Sequence, residues 1–321
     1  MKPAIEWRQP PQAAADHQQF AADLHAALAR TPKAISPKYF YDAAGSRLFE
    51  QICELPEYYP TRTELALLQD HAVDMAAQLG PQVQLVEYGA GALRKVRLLL
   101  DAMPRDGLQF VPVDISGSHL LAACDALAAD YAGLAIQPLV ADFTQPHELP
   151  PCPEGSRRIG FFPGSSIGNF TPAESLAFLR LAAAELQGGG LLIGIDLVKD
   201  EAVLHAAYND AAGVTAAFNL NLLARARREL GAEIPADGFE HLAFWNPAYR
   251  RIEMHLRARR ALELRVGDRR YAFHEGETLH TEHSHKYTVQ GFQALAARAG
   301  FKPGRVWTDA NGWFAVLWLE A

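Results

Sequence analysis

The rhythm of hydrophobic and polar positions changes along the chain. The first 75 residues read as helical segments broken by Pro32, Pro37, Pro56 and Pro60. From residue 83 the pattern becomes a series of short, continuous apolar runs: QLVEYGAG, LQFVPVDIS, AIQPLVADF, RIGFFPGSS and LLIGIDLV. Helix-like stretches lie between them at Arg94 to Met103, His119 to Tyr131 and Pro172 to Leu186. Apolar strands alternating with helices predict a parallel sheet covered on both faces. The third helix carries its own start signal, because Thr171 and Glu174 have capping-box spacing and Pro172 takes the first helical position.

The segment Glu201 to Leu230 reads as helical and alanine-rich. Phe239 to Tyr287 then changes to strand alternation, as in RIEMHLRARRALEL. The last stretch returns to a helix, Gln290 to Ala299, and to two strands, RVWTD and WFAVLWLE, joined around Asn311-Gly312. This pattern predicts one domain from residues 1–200 and 288–321, with a smaller α+β substrate-binding domain at 201–287.

Composition narrows the class. The 321 residues are 49% hydrophobic and 21% charged, as in an ordinary globular enzyme, and the formal net charge of −7 argues against a general nucleic-acid binder. Cys53, Cys124 and Cys152 are isolated, which suits a reducing compartment. The N-terminal MKPAIEWRQP has no apolar core, and Leu191 to Val198 is too short to span a bilayer and carries Asp196. A cytoplasmic protein with no membrane partner, acting as a monomer on a small molecule, is expected.

In an open α/β sheet, ligands bind beyond the carboxyl ends of the strands. Here the first strand ends in Glu87-Tyr88-Gly89-Ala90-Gly91, the second in Asp114 and the third in Ala141-Asp142-Phe143. Gly89 and Gly91 let a ligand approach the backbone. Asp114 is placed to accept both hydroxyls of a ribose, and Asp142 with Phe143 suits the amino group and face of an adenine. Residues 92–94 supply no third glycine, which weakens a dinucleotide reading. S-adenosylmethionine has no pyrophosphate, so Gly89-x-Gly91 is adequate for it, and Lys95 is placed to pair with its methionyl carboxylate. Taken singly, these residues also read as a tight turn, a helix cap before Ser116 and a solvated lysine. Their arrangement in strand order favours the cofactor. The fold expected is a Rossmann-like class I methyltransferase sheet with a terminal antiparallel hairpin.

Longer motifs are more specific. PKYFYDAAGSRLFEQICELPEYYPTRTE (37–64), GSSIGNFTP (164–172), DLVKD (196–200), YNDAAGVTAAFN (208–219), RIEMHLRAR (251–259) and TEHSHKY (281–287) follow in order through nearly the whole chain. With them the sequence resembles the histidine Nα-methyltransferase family of ergothioneine biosynthesis. The resemblance implies conversion of histidine to trimethylhistidine (hercynine) with three molecules of S-adenosylmethionine. It also places Asn169 and Tyr208 at the carboxylate-binding positions, and Tyr41, Gly164 and Ser166 on the amine side. Tyr58 and Met254 match further substrate-side positions.

Glu282 and Ser284 are two apart in a strand-like segment and share a face, where a carboxylate beside a hydroxyl can hold both ring nitrogens of an imidazole. On alternation alone they also read as a solvated strand face. His283 and His285 depart from the family pattern and are expected on the opposite face. The spacing of His280, His283 and His285 gives no zinc-site pattern, so no metal is expected. No general base is evident in the sequence. Three other readings remain: a same-family enzyme for another or modified amino acid, such as the prenylated tryptophan of fungal relatives; a nucleotide-binding oxidoreductase; and a noncatalytic protein that keeps the cofactor fold.

Overall fold

The computed structural model describes residues 13–321, and the N-terminal decapeptide discussed above lies outside them. The chain divides into two compact units. The first holds residues 60–198 and 286–321, and the second holds the described residues up to 59 together with 199–285.

In chain order the helices and strands begin with α1 (Ala13–Ala29), β1 (Lys33–Ala34), α2 (Ala43–Glu54), α3 (Tyr59–Leu79), β2 (Val83–Tyr88), α4 (Arg94–Ala102), β3 (Gln109–Asp114), α5 (Gly117–Asp130), β4 (Ala135–Ile136) and β5 (Leu139–Val140). They continue with β6 (Arg157–Phe162), α6 (Pro172–Glu185), β7 (Gly190–Asp196), α7 (Glu201–Tyr208), α8 (Val214–Leu230), β8 (Phe239–Asn246) and β9 (Arg251–Ala258). The last are β10 (Leu262–Val266), β11 (Arg269–Phe273), β12 (Thr278–His285), α9 (Val289–Ala299), β13 (Lys302–Thr308) and β14 (Phe314–Glu320).

The first unit is built on one sheet of order β13-β14-β7-β6-β2-β3-β4, with β5 also on β3. The pairs β2–β3, β2–β6 and β6–β7 are parallel, while β14 runs antiparallel to both β7 and β13. The expected parallel sheet with a terminal antiparallel hairpin is therefore present. Its apolar runs are continuous because both faces are buried. Leu85, Phe110, Ile159 and Leu192 pack with residues of α3, α4 and α5. Their alternates Val86, Val111 and Ile193 pack with residues of α6 and α9. Strand order reverses between β2 and β6, so the carboxyl ends of those two strands open the crevice that such folds use for ligands.

Local chemistry sets the boundaries. Thr171 and Glu174 form the expected capping box at the start of α6. The run AIQPLVADF gives only the short pairings β4 and β5, because Pro138, between them, has no N–H for the ladder. The stretch 201–230 is two helices rather than one. Asp210 caps the second by accepting from Val214 N and Thr215 N, both at 2.8 Å, and Gly213 turns the chain at φ +73.

The second unit carries a four-stranded sheet of order β1-β12-β9-β8 and a β10–β11 ribbon. The sequence reading placed residues before 59 with the first unit. They group with 199–285 because β1 pairs with β12 and Asp42, at the start of α2, bonds Asn221 and Arg228 of α8. Asn219, fully buried on α8, donates to His255 O and accepts from Thr281 Oγ1, bolting the helix to both strands.

The chain leaves the first unit after Val198 and returns at Lys286. These two crossings are tied together within the first unit. Leu197 and Tyr287 form a parallel bridge, and Lys286 closes on Asp196 at 2.7 Å, with both side chains buried.

Candidate functional site

The cofactor end of the first unit is assembled at the tips of β2, β3 and β6. Gly89 and Gly91 turn at φ +67 and +53, in the left-handed region that favours glycine. Nothing lies within 4 Å of where a side chain at Gly91 would begin, while the same position on Gly89 stands 3.4 Å from the Phe143 ring. Asp114 holds the loop, accepting from Gly91 N at 2.9 Å and from Ser116 N at 2.8 Å. Asp114 does not cap α5, whose N-cap is Ser116, and each of its carboxylate oxygens keeps a lone pair for a further donor. Asp142 accepts from Thr144 N and Oγ1, and Phe143 packs edge-on against Phe162 and Phe178.

Gly164 follows β6 at φ +84, and Ser166 Oγ, at the start of a 3-10 turn that ends at Asn169, donates to Pro163 O at 3.2 Å. Thus Gly89, Gly91, Lys95, Asp114, Asp142, Phe143, Gly164, Ser166 and Asn169 all belong to the first unit.

The other residues expected at the site, Tyr41, Tyr58, Tyr208, Met254, Glu282 and Ser284, belong to the second unit. Glu282 pairs with Met254 across the β9–β12 ladder and Ser284 with Ile252, so the two polar groups share a face. All three of Met254, Glu282 and Ser284 are buried, which is not the solvated face that alternation alone allows. The Tyr58 and Tyr208 rings meet edge to face at 6.3 Å, and Tyr41 stands 5.6 Å from Phe49, which also meets Tyr58. Burial pushes the Tyr58 phenol well above its ordinary range, and Tyr208, Cys53, Tyr41 and Glu282 add to the shift. Tyr58 therefore stays protonated. His241 fixes the neighbouring helix end through Nε2 and Tyr208 O, 2.9 Å apart.

A family model described as histidine-specific methyltransferase, SAM-dependent, matches residues 20–321. The chain belongs to this family. It is 46% identical over 299 residues to a histidine N-alpha-methyltransferase of Mycolicibacterium smegmatis, covering 92% of each chain. It is 43% identical over 307 residues to the Mycobacterium tuberculosis protein of the same name, covering 94% of this chain and 95% of that one. A 4-dimethylallyltryptophan N-methyltransferase of Claviceps purpurea is 24% identical over 328 residues, covering 91% of this chain and 92% of its own.

The residues of this family member fit the cofactor that its family uses. The clearest sign is Glu87 at the end of β2. It is buried, and its Oε2 has no hydrogen-bond partner among the described residues. Burial holds its carboxyl well above the ordinary range, countered by Lys95 and reinforced by Asp114 and Glu64. A buried acid with an unused oxygen beside an open glycine turn suits a polar ligand. The sequence pattern assigns no role to Glu87, nor to Glu64 of α3, whose carboxylate lies 2.5 Å from Lys95 Nζ. The signal for Glu87 is its place two residues before Gly89. Nothing local signalled Glu64.

The opposite face of β9 and β12 carries a histidine row. His283 pairs with Glu253 and His285 with Arg251, alternating with Glu282 and Ser284. A bulge between His280 and Glu282 also moves His280 to this face, where it stacks on His255 at 4.7 Å. Glu253, His255 and His280 each bring one potential ligand atom within 4.8 Å of the others. However, the rings lie only 24° from parallel, so their in-plane lone pairs run alongside one another, and closing them on one ion would require a ring to turn. Glu253 is already held by Arg251 and Asn246.

Burial, then His255, pushes His280 down to about 4 from an ordinary 6.5. A depressed histidine stabilises the fold above its unfolded value and loses that contribution as the pH falls through the folded value. His280→Gln is therefore expected to lose less stability than wild type between pH 6.5 and 4, by on the order of 1 kcal/mol in urea unfolding. An equal loss in both proteins would count against this reading of the stack.

Proposed function

We propose that this protein methylates the α-amine of free L-histidine, giving Nα,Nα,Nα-trimethylhistidine (hercynine) in ergothioneine biosynthesis. The observation that carries the substrate is the buried pair Glu282 and Ser284 on one strand face beside Tyr58. An imidazole presents one N–H and one lone pair. Glu282 accepts from the N–H, and the Ser284 hydroxyl donates to the other nitrogen. By the family resemblance, Asn169 and Tyr208 address the substrate carboxylate. Gly164, Ser166 and Tyr41 address the amine.

S-adenosylmethionine supplies a methyl group carried on a sulfonium. Gly89, Gly91, Lys95, Asp114, Asp142 and Phe143 are the residues that would hold it. The amine must be neutral to attack, so the protein's task is to orient its lone pair and receive its proton. Ser166 Oγ spends its own proton on Pro163 O, which leaves its lone pairs to accept from the amine. Burial holds the Tyr58 phenol protonated, which favours water or another group as the final proton acceptor. No helix of the described residues is long and apolar enough to cross a membrane. We place the protein in the cytoplasm as a monomer, which size-exclusion chromatography with light scattering would check.

The deciding experiment is mass spectrometry of an incubation with S-adenosylmethionine and all free amino acids. Histidine gaining three methyl groups supports the proposal, and methylation of a different amino acid overturns the assignment of Glu282 and Ser284. The second reading, a modified tryptophan, has the Claviceps purpurea relative in its favour. An indole has one N–H and needs only one acceptor, which leaves Ser284 without a role. Asn169→Ala is expected to lower histidine turnover about tenfold or more through one lost hydrogen bond to a charged group, with cofactor affinity nearly unchanged. A parallel loss of cofactor affinity in a binding titration would reassign Asn169.

A further inference from the structure

Glu64 is the most completely buried carboxylate near the cofactor end, and the chemistry described so far does not use it. It projects from α3 with no exposed surface. Both of its oxygens accept from Gly164 N, at 2.9 and 2.8 Å, and Oε2 lies 2.5 Å from Lys95 Nζ. An isolated buried carboxylate is costly, and it is tolerated when paired with a cation and hydrogen-bonded, as here.

The surroundings are shaped to admit it. Gly194 lies inside β7, where glycine weakens a strand, and a methyl there would overlap Glu64 Oε1. A side chain beginning at Gly164 would stand 3.2 Å from Lys95 Nζ. Lys95 itself sits in the first turn of α4, where the helix dipole disfavours a cation. Its side chain is 19% exposed, so it is not a solvated surface lysine. A lysine held against the dipole, largely out of water and on a buried anion, has been placed.

We propose that Glu64 is a positioning residue for methyl transfer. Its carboxylate fixes the Lys95 ammonium and the Gly164 backbone in one arrangement, so that the cofactor-side cation and the amine-side loop are set before either ligand arrives. Glu64 acts through Lys95 and Gly164. This rests on the cofactor assignment above, and not on histidine being the substrate.

The test is a double-mutant cycle on S-adenosylhomocysteine affinity in the full chain, by calorimetry, with thermal melts of each variant. Glu64→Gln keeps an acceptor for Gly164 and removes the charge. Lys95→Met removes the partner. Glu64→Gln is expected to weaken binding about tenfold. The double variant is expected to bind like Lys95→Met alone, because Glu64 works through Lys95. A folded Glu64→Gln protein within twofold of wild-type affinity, or losses that add in the double variant, would overturn the proposal. Should wild type fail to bind S-adenosylhomocysteine, the cofactor assignment falls and the proposal falls with it.

If Glu64→Gln does not fold, Glu64→Asp, which keeps the charge but draws it back from Lys95, replaces it in the same cycle with the same supporting and overturning outcomes.

Discussion

Asp114→Ala is expected to weaken S-adenosylhomocysteine binding by roughly 1000-fold, the largest effect of any single substitution at the cofactor end. Hydrogen bonds to a charged group contribute about 1.5–3 kcal/mol each, and a carboxylate at this strand end is placed to accept two from a ribose. The same carboxylate accepts from Gly91 N and Ser116 N, so its removal also leaves the glycine turn without its anchor. Asp114→Asn keeps an oxygen for Gly91 N and is expected to fall between wild type and alanine. Calorimetric titration measures all three proteins. An alanine variant that melts like wild type and binds within threefold of it would remove Asp114 from the cofactor site.

Glu282→Ala is expected to lower kcat/KM for histidine by roughly 100-fold, and to lower residual turnover of other amino acids much less. Glu282 is 8% exposed, so water does not readily take its place as acceptor for the ring N–H. Deletion leaves a buried donor unsatisfied, and buried polar recognition discriminates strongly for that reason. Its ladder partner Met254 continues to pack, so the strand is expected to stay folded. The comparison needs histidine and one other methylated amino acid under identical conditions. Equal losses for both would make Glu282 a structural residue of β12.

Most of the sheet could be read in the sequence because burial on both faces writes itself as continuous apolar runs. The glycine turn, Asp114 and the capping box at Thr171 were legible for a related reason, since each is a local signal within a few residues. What escaped was one masked local break and several non-local contacts. The break at 209–213 rests on Asp210 accepting from amides four and five residues ahead, a local cap that alanine-rich periodicity masks. The bulge that turns His280 onto the histidine face interrupts a strict alternation with no glycine or proline to announce it. Residues before 59 join the second unit through β1 and Asp42, whose partners lie more than 170 positions later in the chain. Glu64 was invisible as a chemical group because its partners, Lys95 and Gly164, lie on other elements.

The tie between Leu197 and Tyr287, with Lys286 closed on Asp196, has an evolutionary consequence. Tyr208, Met254, Glu282 and Ser284 all lie in the single stretch between those crossings. A stretch that leaves and re-enters through adjoining positions can be rewritten without reopening the ladder of the first sheet, as long as β12 keeps its pairing with β1 and α8 its bonds to Asp42. If these four residues hold the substrate, changes within that stretch alone can retune part of its pocket while the glycine turn and Asp114 of the first unit keep their arrangement.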